Sequence, residues 1–196
     1  TVWCWGYNAW GQLGSGTHTD RSTPGPVTGL TQASTLTAGR FHTCGVLVDG
    51  TARCWGWNNR GQLGDGTTTI RSVPTPVAGI TDASVMSAGE WHSCGVLRSG
   101  AAQCWGWDAA GQLGRGHLVD HPVPVLATGI DDAAGIAAGS VHSCLVREDG
   151  SVWRSGSNGV RQLGDGTAVE RHTFVAASNV TGAGPVSASS GHACPV

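Results

Sequence analysis

The chain repeats itself at a fixed period. The stretch "WCWGYNAWGQLGSGT" at residues 3–17 returns as "RCWGWNNRGQLGDGT" at 53–67, "QCWGWDAAGQLGRGH" at 103–117 and "WRSGSNGVRQLGDGT" at 153–167. Gln12, Gln62, Gln112 and Gln162 stand 50 residues apart, as do His42, His92, His142 and His192 and Cys44, Cys94, Cys144 and Cys194. No repeat is lengthened or shortened. A period of this size restricts the fold to solenoids, propellers and arrays, because one unit cannot bury its apolar face without its neighbours.

Each unit reads as β. "HTCGVLVDGTARCWGWN" (42–58) is two runs rich in Val, Thr and Trp around Asp49-Gly50, a hairpin signal repeated around Ser99-Gly100 and Asp149-Gly150. "PTPVAGI" and "ASVMSAG" supply further strands, no long window carries helical spacing, and 32 glycines weigh against helix. Three to four short strands per unit is the grammar of a propeller blade. The expected fold is therefore all-β: a single β-propeller domain over 1–196, with repeats phased at about 1–50, 51–100, 101–150 and 151–196. Thr1 matches Thr51 and Val196 matches Val46, so the N- and C-terminal strands are expected to share one blade. That phase suits a closed four-bladed ring, and equally an arc of a larger propeller.

The pattern G-x-N-x-x-G-Q-L-G-x-G-T (Gly56 to Thr67), then R-x-x-P-x-P-V (Arg71 to Val77), then A-G-x-x-H-[ST]-C (Ala88 to Cys94) resembles the regulator of chromosome condensation repeat family over essentially the whole chain. The resemblance implies a β-propeller, usually of seven blades. It does not imply one function, since members include a nucleotide-exchange factor for a small nuclear GTPase, a plant ultraviolet-B photoreceptor and secreted β-lactamase inhibitors. "GRFHT" (39–43) and "GEWHS" (89–93) are similar to the photoreceptor's Gly-Trp-Arg-His-Thr motif, with Arg40 and Glu90 where that motif has Trp.

The formal net charge is −2, and all 11 basic residues are Arg. This leaves no footprint for nucleic acid or an anionic membrane, and no lysine for a Schiff base or a P-loop. No apolar run is long enough to span a bilayer. Thr1 at the start suggests a processed or trimmed N-terminus. The seven cysteines recur in facing register. Cys44 and Cys54 flank the Asp49-Gly50 turn, Cys94 and Cys104 flank Ser99-Gly100, and Cys144 faces Arg154. Four periods of 50 place Cys4 ten residues after Cys194, the separation of Cys44 from Cys54. Three disulfides are expected, Cys44–Cys54, Cys94–Cys104 and Cys4–Cys194, and with them an oxidising compartment.

Residues present in every repeat serve the repeat. The four histidines are read as hydrogen-bonding a neighbouring strand or turn rather than as metal ligands, and the glycines of "GQLGDG" as making a tight turn. A calcium loop common to all repeats is excluded, because Ser15 and Arg115 stand where Asp65 and Asp165 stand. The tryptophan pairs Trp3/Trp5, Trp55/Trp57 and Trp105/Trp107 each share one strand face and are expected to pack in the core or between blades.

An asymmetric partner needs a surface where the repeats differ. Trp10, Arg60, Ala110 and Val160 are equivalent, as are Arg40, Glu90, Ser140 and Ser190, followed by Phe41, Trp91, Val141 and Gly191. Trp and Arg are the preferred interface anchors, so the candidate binding residues are Trp10, Arg40, Arg60, Trp91, Arg115 and His117. The expectation is a secreted or surface-exposed scaffold for a protein partner, without cofactor or metal and without nucleic acid or membrane insertion, able to self-associate if one chain does not close the ring. An enzyme or lectin-like module with an axial pocket is the alternative, and nucleotide exchange on a small GTPase a weaker one.

Overall fold

The computed structural model describes residues 1–196 and contains sixteen strands and no helix. The chain opens with a two-stranded sheet, β1 (Trp3–Gly6) and β2 (Arg21–Pro26). Three four-stranded antiparallel blades follow. The first holds β3 (Ala33–Ala38), β4 (His42–Leu47), β5 (Ala52–Gly56) and β6 (Arg71–Pro76). The second holds β7 (Ala83–Ala88), β8 (His92–Leu97), β9 (Ala102–Gly106) and β10 (His121–Leu126), and the third β11 (Ala133–Ala138), β12 (His142–Arg147), β13 (Val152–Gly156) and β14 (Arg171–Ala176). A last pair, β15 (Val186–Ala188) and β16 (Ala193–Pro195), ends the chain. Strands β3, β7, β11 and β15 pack in succession along the inner side of the arc.

The hairpin register follows the sequence. Cys44 pairs with Cys54 and Cys94 with Cys104 across β4/β5 and β8/β9, and both pairs are disulfide-bonded. Gly50 takes φ +85° at the turn between them, a conformation that favours glycine.

The shared terminal blade is not formed in this structure. β1–β2 has the position of an outer strand pair and β15–β16 that of an inner one, yet they are separate sheets, and Cys4 and Cys194 are both free thiols. The matching phase of the two ends specifies which strands are complementary; it does not specify how far round the ring each blade advances the chain. The consequence shows in the indoles. Trp55 and Trp105 are fully buried between blades, whereas Trp5, the equivalent residue, is 60% exposed for want of a preceding blade.

The seam between blades is one polar relay, repeated. The Gln62 carbonyl accepts from Ser93 Oγ (2.8 Å) and from the Trp105 indole (2.9 Å), both in the next blade. Ser93 Oγ in turn contacts His42 Nε2 at 2.8 Å. Since the hydroxyl proton is given to Gln62, the histidine must donate from Nε2. The same relay joins His92, Ser143 and Gln112. Every member is buried, so the relay satisfies polar groups that water cannot reach. Gly64 belongs to it as well, because at φ +70° a Cβ there would lie 2.7 Å from the Trp105 indole nitrogen.

The third blade solves the same seam differently. Ser155 replaces the tryptophan, and its Oγ reaches the Gln112 carbonyl at 3.2 Å. The vacated volume is filled by Phe174, which stands where the other repeats carry Pro24, Pro74 and Pro124 and lies against Gly114. Arg154 replaces the second cysteine, with Nε on Cys144 Sγ (3.3 Å) and a second nitrogen on the Gln162 carbonyl (3.2 Å). The relay ends here, because Ala193 stands where Ser93 and Ser143 stand, and both ring nitrogens of His142 are left without a partner.

Candidate functional site

Antiparallel order puts the β3–β4 and β5–β6 connections at one end of every blade and the β4–β5 hairpin turns at the other. All six residues selected for breaking the repeat belong to connections of the first kind, so they share one face of the arc. Four of them meet around a common aromatic cluster.

Its centre is Trp57, just beyond the end of β5. The Gly56 conformation at φ +111° turns the chain off the strand, so Trp57 leaves the face it was expected to share with Trp55. Trp10, from the preceding repeat, stacks on Trp57 with centroids 4.6 Å apart and planes 17° from parallel. Phe41 and Trp91 meet Trp57 edge-on at 4.8 and 4.9 Å and approach each other at 5.6 Å. These are the offset-stacked and edge-to-face arrangements that the ring quadrupole favours. All four rings are half-buried, and the Trp57 indole N–H is shielded without an acceptor.

Two arginines flank the cluster. Arg40 lies 4.8 Å over the Phe41 ring and is ion-paired with Glu90, which also accepts from Ser140 Oγ. Arg60 pairs with Asp120 of the next repeat at 3.3 Å. Both guanidinium groups remain about half exposed, so these pairs contribute little to stability. Arg60, Trp91 and Trp107 together line a surface cleft of about 260 Å³. Towards the inner side, Gly39, Gly89 and Gly139 ring a small funnel of about 200 Å³, with Arg40, Glu90 and Ser140 at its wall.

Arg115 and His117 stand apart from this cluster. Arg115 donates to His121, replacing the Asp65–Arg71 and Asp165–Arg171 ion pairs of the second and fourth repeats, and His117 is exposed on the same loop. Trp57, Trp107 and Phe41 belong to the site and were not selected from sequence. Trp57 and Trp107 are expected from sequence to pack in the core or between blades; Trp57 does meet rings of both neighbouring repeats, but off the strand, and only the glycine before each signals that departure.

The histidines are not part of the site. Burial drives His42 down to about 4 and His92 down to about 3, so both rings are neutral near pH 7. No group of three metal-ligating side chains occurs.

A family model described as the regulator of chromosome condensation (RCC1) repeat matches residues 1–46, 49–96 and 99–146, and a second model of the same description matches 34–62 and 85–112. Among solved structures, human WBSCR16 is 21% identical with a TM-score of 0.88, covering 100% of this chain and 52% of that one. Prp20p from Saccharomyces cerevisiae, whose structure was reported with its binding properties to Gsp1p and histones, is 20% identical with a TM-score of 0.82, over 99% of this chain and 51% of its own. Yeast RCC1 (Prp20) bound to Kap60 is 21% identical with a TM-score of 0.80, over 94% of this chain and 46% of its own. The chain thus spans about half the length of the structures it matches. No curated protein matches it.

Proposed function

Because the chain belongs to the regulator of chromosome condensation (RCC1) repeat family, we propose that it is a non-catalytic scaffold that binds a protein partner through the loop face bearing Trp10, Phe41, Trp57 and Trp91. One observation carries this reading. Three of the four rings, Trp10, Phe41 and Trp91, come from positions where the repeats disagree and gather on Trp57, and the cluster is flanked by arginines whose guanidinium groups are about half exposed. A residue needed only to hold the propeller is expected to recur, as Gln12, Gln62, Gln112 and Gln162 do at the seam. Half-buried Trp with adjacent Arg is the composition of interface hot spots. The published binding of Gsp1p and histones by Prp20p supports protein recognition as a use of this fold.

The axial funnel supports a small-molecule site less well. Its volume is about 200 Å³, and its acid and base, Glu90 and Arg40, neutralise each other. The two buried disulfides support residence in an oxidising compartment, secreted or at the cell surface.

Affinity capture from extracts and medium of the source cells tests the reading. Wild-type chain is compared with Trp57→Ala, Trp91→Ala and Arg60→Ala, and with Val48→Ser on the opposite face. Proteins lost with the first three variants and kept with the last support it. Equal retention by all four variants refutes it.

A further inference from the structure

Every repeat closes its β5–β6 type connection on one buried amide, except the third. The Asn8 side-chain NH₂ donates to the carbonyls of Thr17 and Thr19, both at 3.0 Å. Asn58 reaches Thr67 and Thr69, both at 3.0 Å, and Asn158 reaches Thr167 at 3.2 Å and Val169 at 3.1 Å. The amide oxygen accepts from Leu13, Leu63 or Leu163 on the other side. In the third repeat the residue is Asp108. Its Oδ1 keeps the bond from the Leu113 N–H at 2.9 Å, which leaves Oδ2 on the side where the other repeats place the amide nitrogen, with His117 and Val119 standing at the positions of the accepting residues and Arg115 at that of Ser15, Asp65 and Asp165. That oxygen is completely buried and has no partner. A carboxylate there sets an anionic oxygen against carbonyl oxygens, with a buried charge and no donor. A carboxylic acid restores the missing donor, because Oδ2–H takes over one of the two bonds the amide makes.

We propose that Asp108 is a proton-binding site: as the acid it holds the 109–120 loop closed, and release of its proton to solvent loosens that loop. The charged and titratable groups around it are few. Asp120 accepts from the Asp108 backbone N–H and favours the protonated form. Arg115 opposes it, with its guanidinium engaged by His121. Arg60 of the preceding repeat lies beyond Asp120 and is paired with it, and His117 is exposed on the loop. Burial outweighs the Leu113 N–H bond and Arg115 and pushes the Asp108 carboxyl up to about 7. The unfolded chain titrates near the ordinary carboxylate value, so between roughly pH 4 and 7 the folded state binds one more proton. The contribution of this residue to stability therefore falls as pH rises through that window and stays at its lowest above it. The loop exposes Leu118 and Val119, so loosening it rearranges an apolar surface.

Asp108→Asn tests this, since the amide is the residue the other three repeats use and the variant is expected to fold. Melting temperatures of wild type and variant are compared at each pH, so that the histidines, common to both, cancel. The variant should match wild type near pH 5 and exceed it by ~5 °C near pH 8.5. Amide exchange in 113–121, taken as the ratio of wild type to variant, should rise over the same range while 63–71 stays constant. A pH-independent difference, or none, overturns the proposal. So does recovery of the variant's melting temperature by EDTA-treated wild type on adding CaCl₂ at pH 8.5, which would assign the oxygen cage to a cation instead of a proton.

Discussion

The seam between blades and the loop face above it are built from neighbouring stretches of the same repeat, and they follow opposite rules. At the seam, Gln62, Ser93 and Trp105 reappear as Gln112, Ser143 and, after two coupled substitutions, Ser155 with Phe174. On the loop face, Trp10 becomes Arg60, Ala110 and Val160, and Phe41 becomes Trp91, Val141 and Gly191. The seam is buried and its Ser, Trp and Gln groups meet in one repeated geometry, so variation there requires compensation. The face is half-solvated, so variation is tolerated, and the aromatic rings collect over the first two blades rather than the third. Recurrence marks what holds the propeller together, and its failure marks what the propeller presents.

Four perturbations sharpen that contrast. The largest effect belongs to the seam: Trp105→Ala removes a fully buried indole and its bond to Gln62 and should cost ~3–5 kcal/mol in urea unfolding. Acid acts on the same region. The unfolded histidines titrate near 6.5, whereas His42 and His142 are held at about 4 and His92 at about 3. Below pH 6.5 the unfolded chain therefore binds more protons, and stability falls with pH by up to ~1.4 kcal/mol per unit for each histidine until the folded values are reached. A pH series of melts checks this, and His42→Gln should flatten it. Removing one disulfide with Cys94→Ser and Cys104→Ser should cost ~2–3 kcal/mol. Reductant should weaken the first two blades but leave the third, where Arg154 faces Cys144, unchanged. On the face, Arg60→Ala should shift stability by less than ~1 kcal/mol, because its pair with Asp120 is solvated.

Much of this was legible in the repeat. Fixed spacing identified the blades, the hairpin turns and the Cys44–Cys54 and Cys94–Cys104 pairings, since facing residues of one hairpin are close in sequence. The His42–Ser93 bond crosses a blade boundary and is invisible to local patterning, although both residues recur at constant spacing. Exchange of Trp for Ser155 plus Phe174 was not legible, because the two positions are separated in sequence and become cross-strand neighbours only through the bulged pairing of β13 with β14. The candidate site was half legible: the variable positions of Trp10, Arg40, Arg60 and Trp91 stand out in the repeat, while Trp57 shares no face with Trp55 because the backbone turns at Gly56. The shared terminal blade depended on the angle between blades, which no residue pattern encodes.

The most direct measurement is made on Trp57→Ala, with melting temperature and partner capture read on the same preparation and Trp105→Ala beside it. A loop-face site predicts a Trp57→Ala chain that stays folded, melts well above Trp105→Ala and captures nothing that wild type captures. A Trp57→Ala chain that unfolds as readily as Trp105→Ala, or that retains every captured protein, would contradict the assignment of the aromatic cluster to binding.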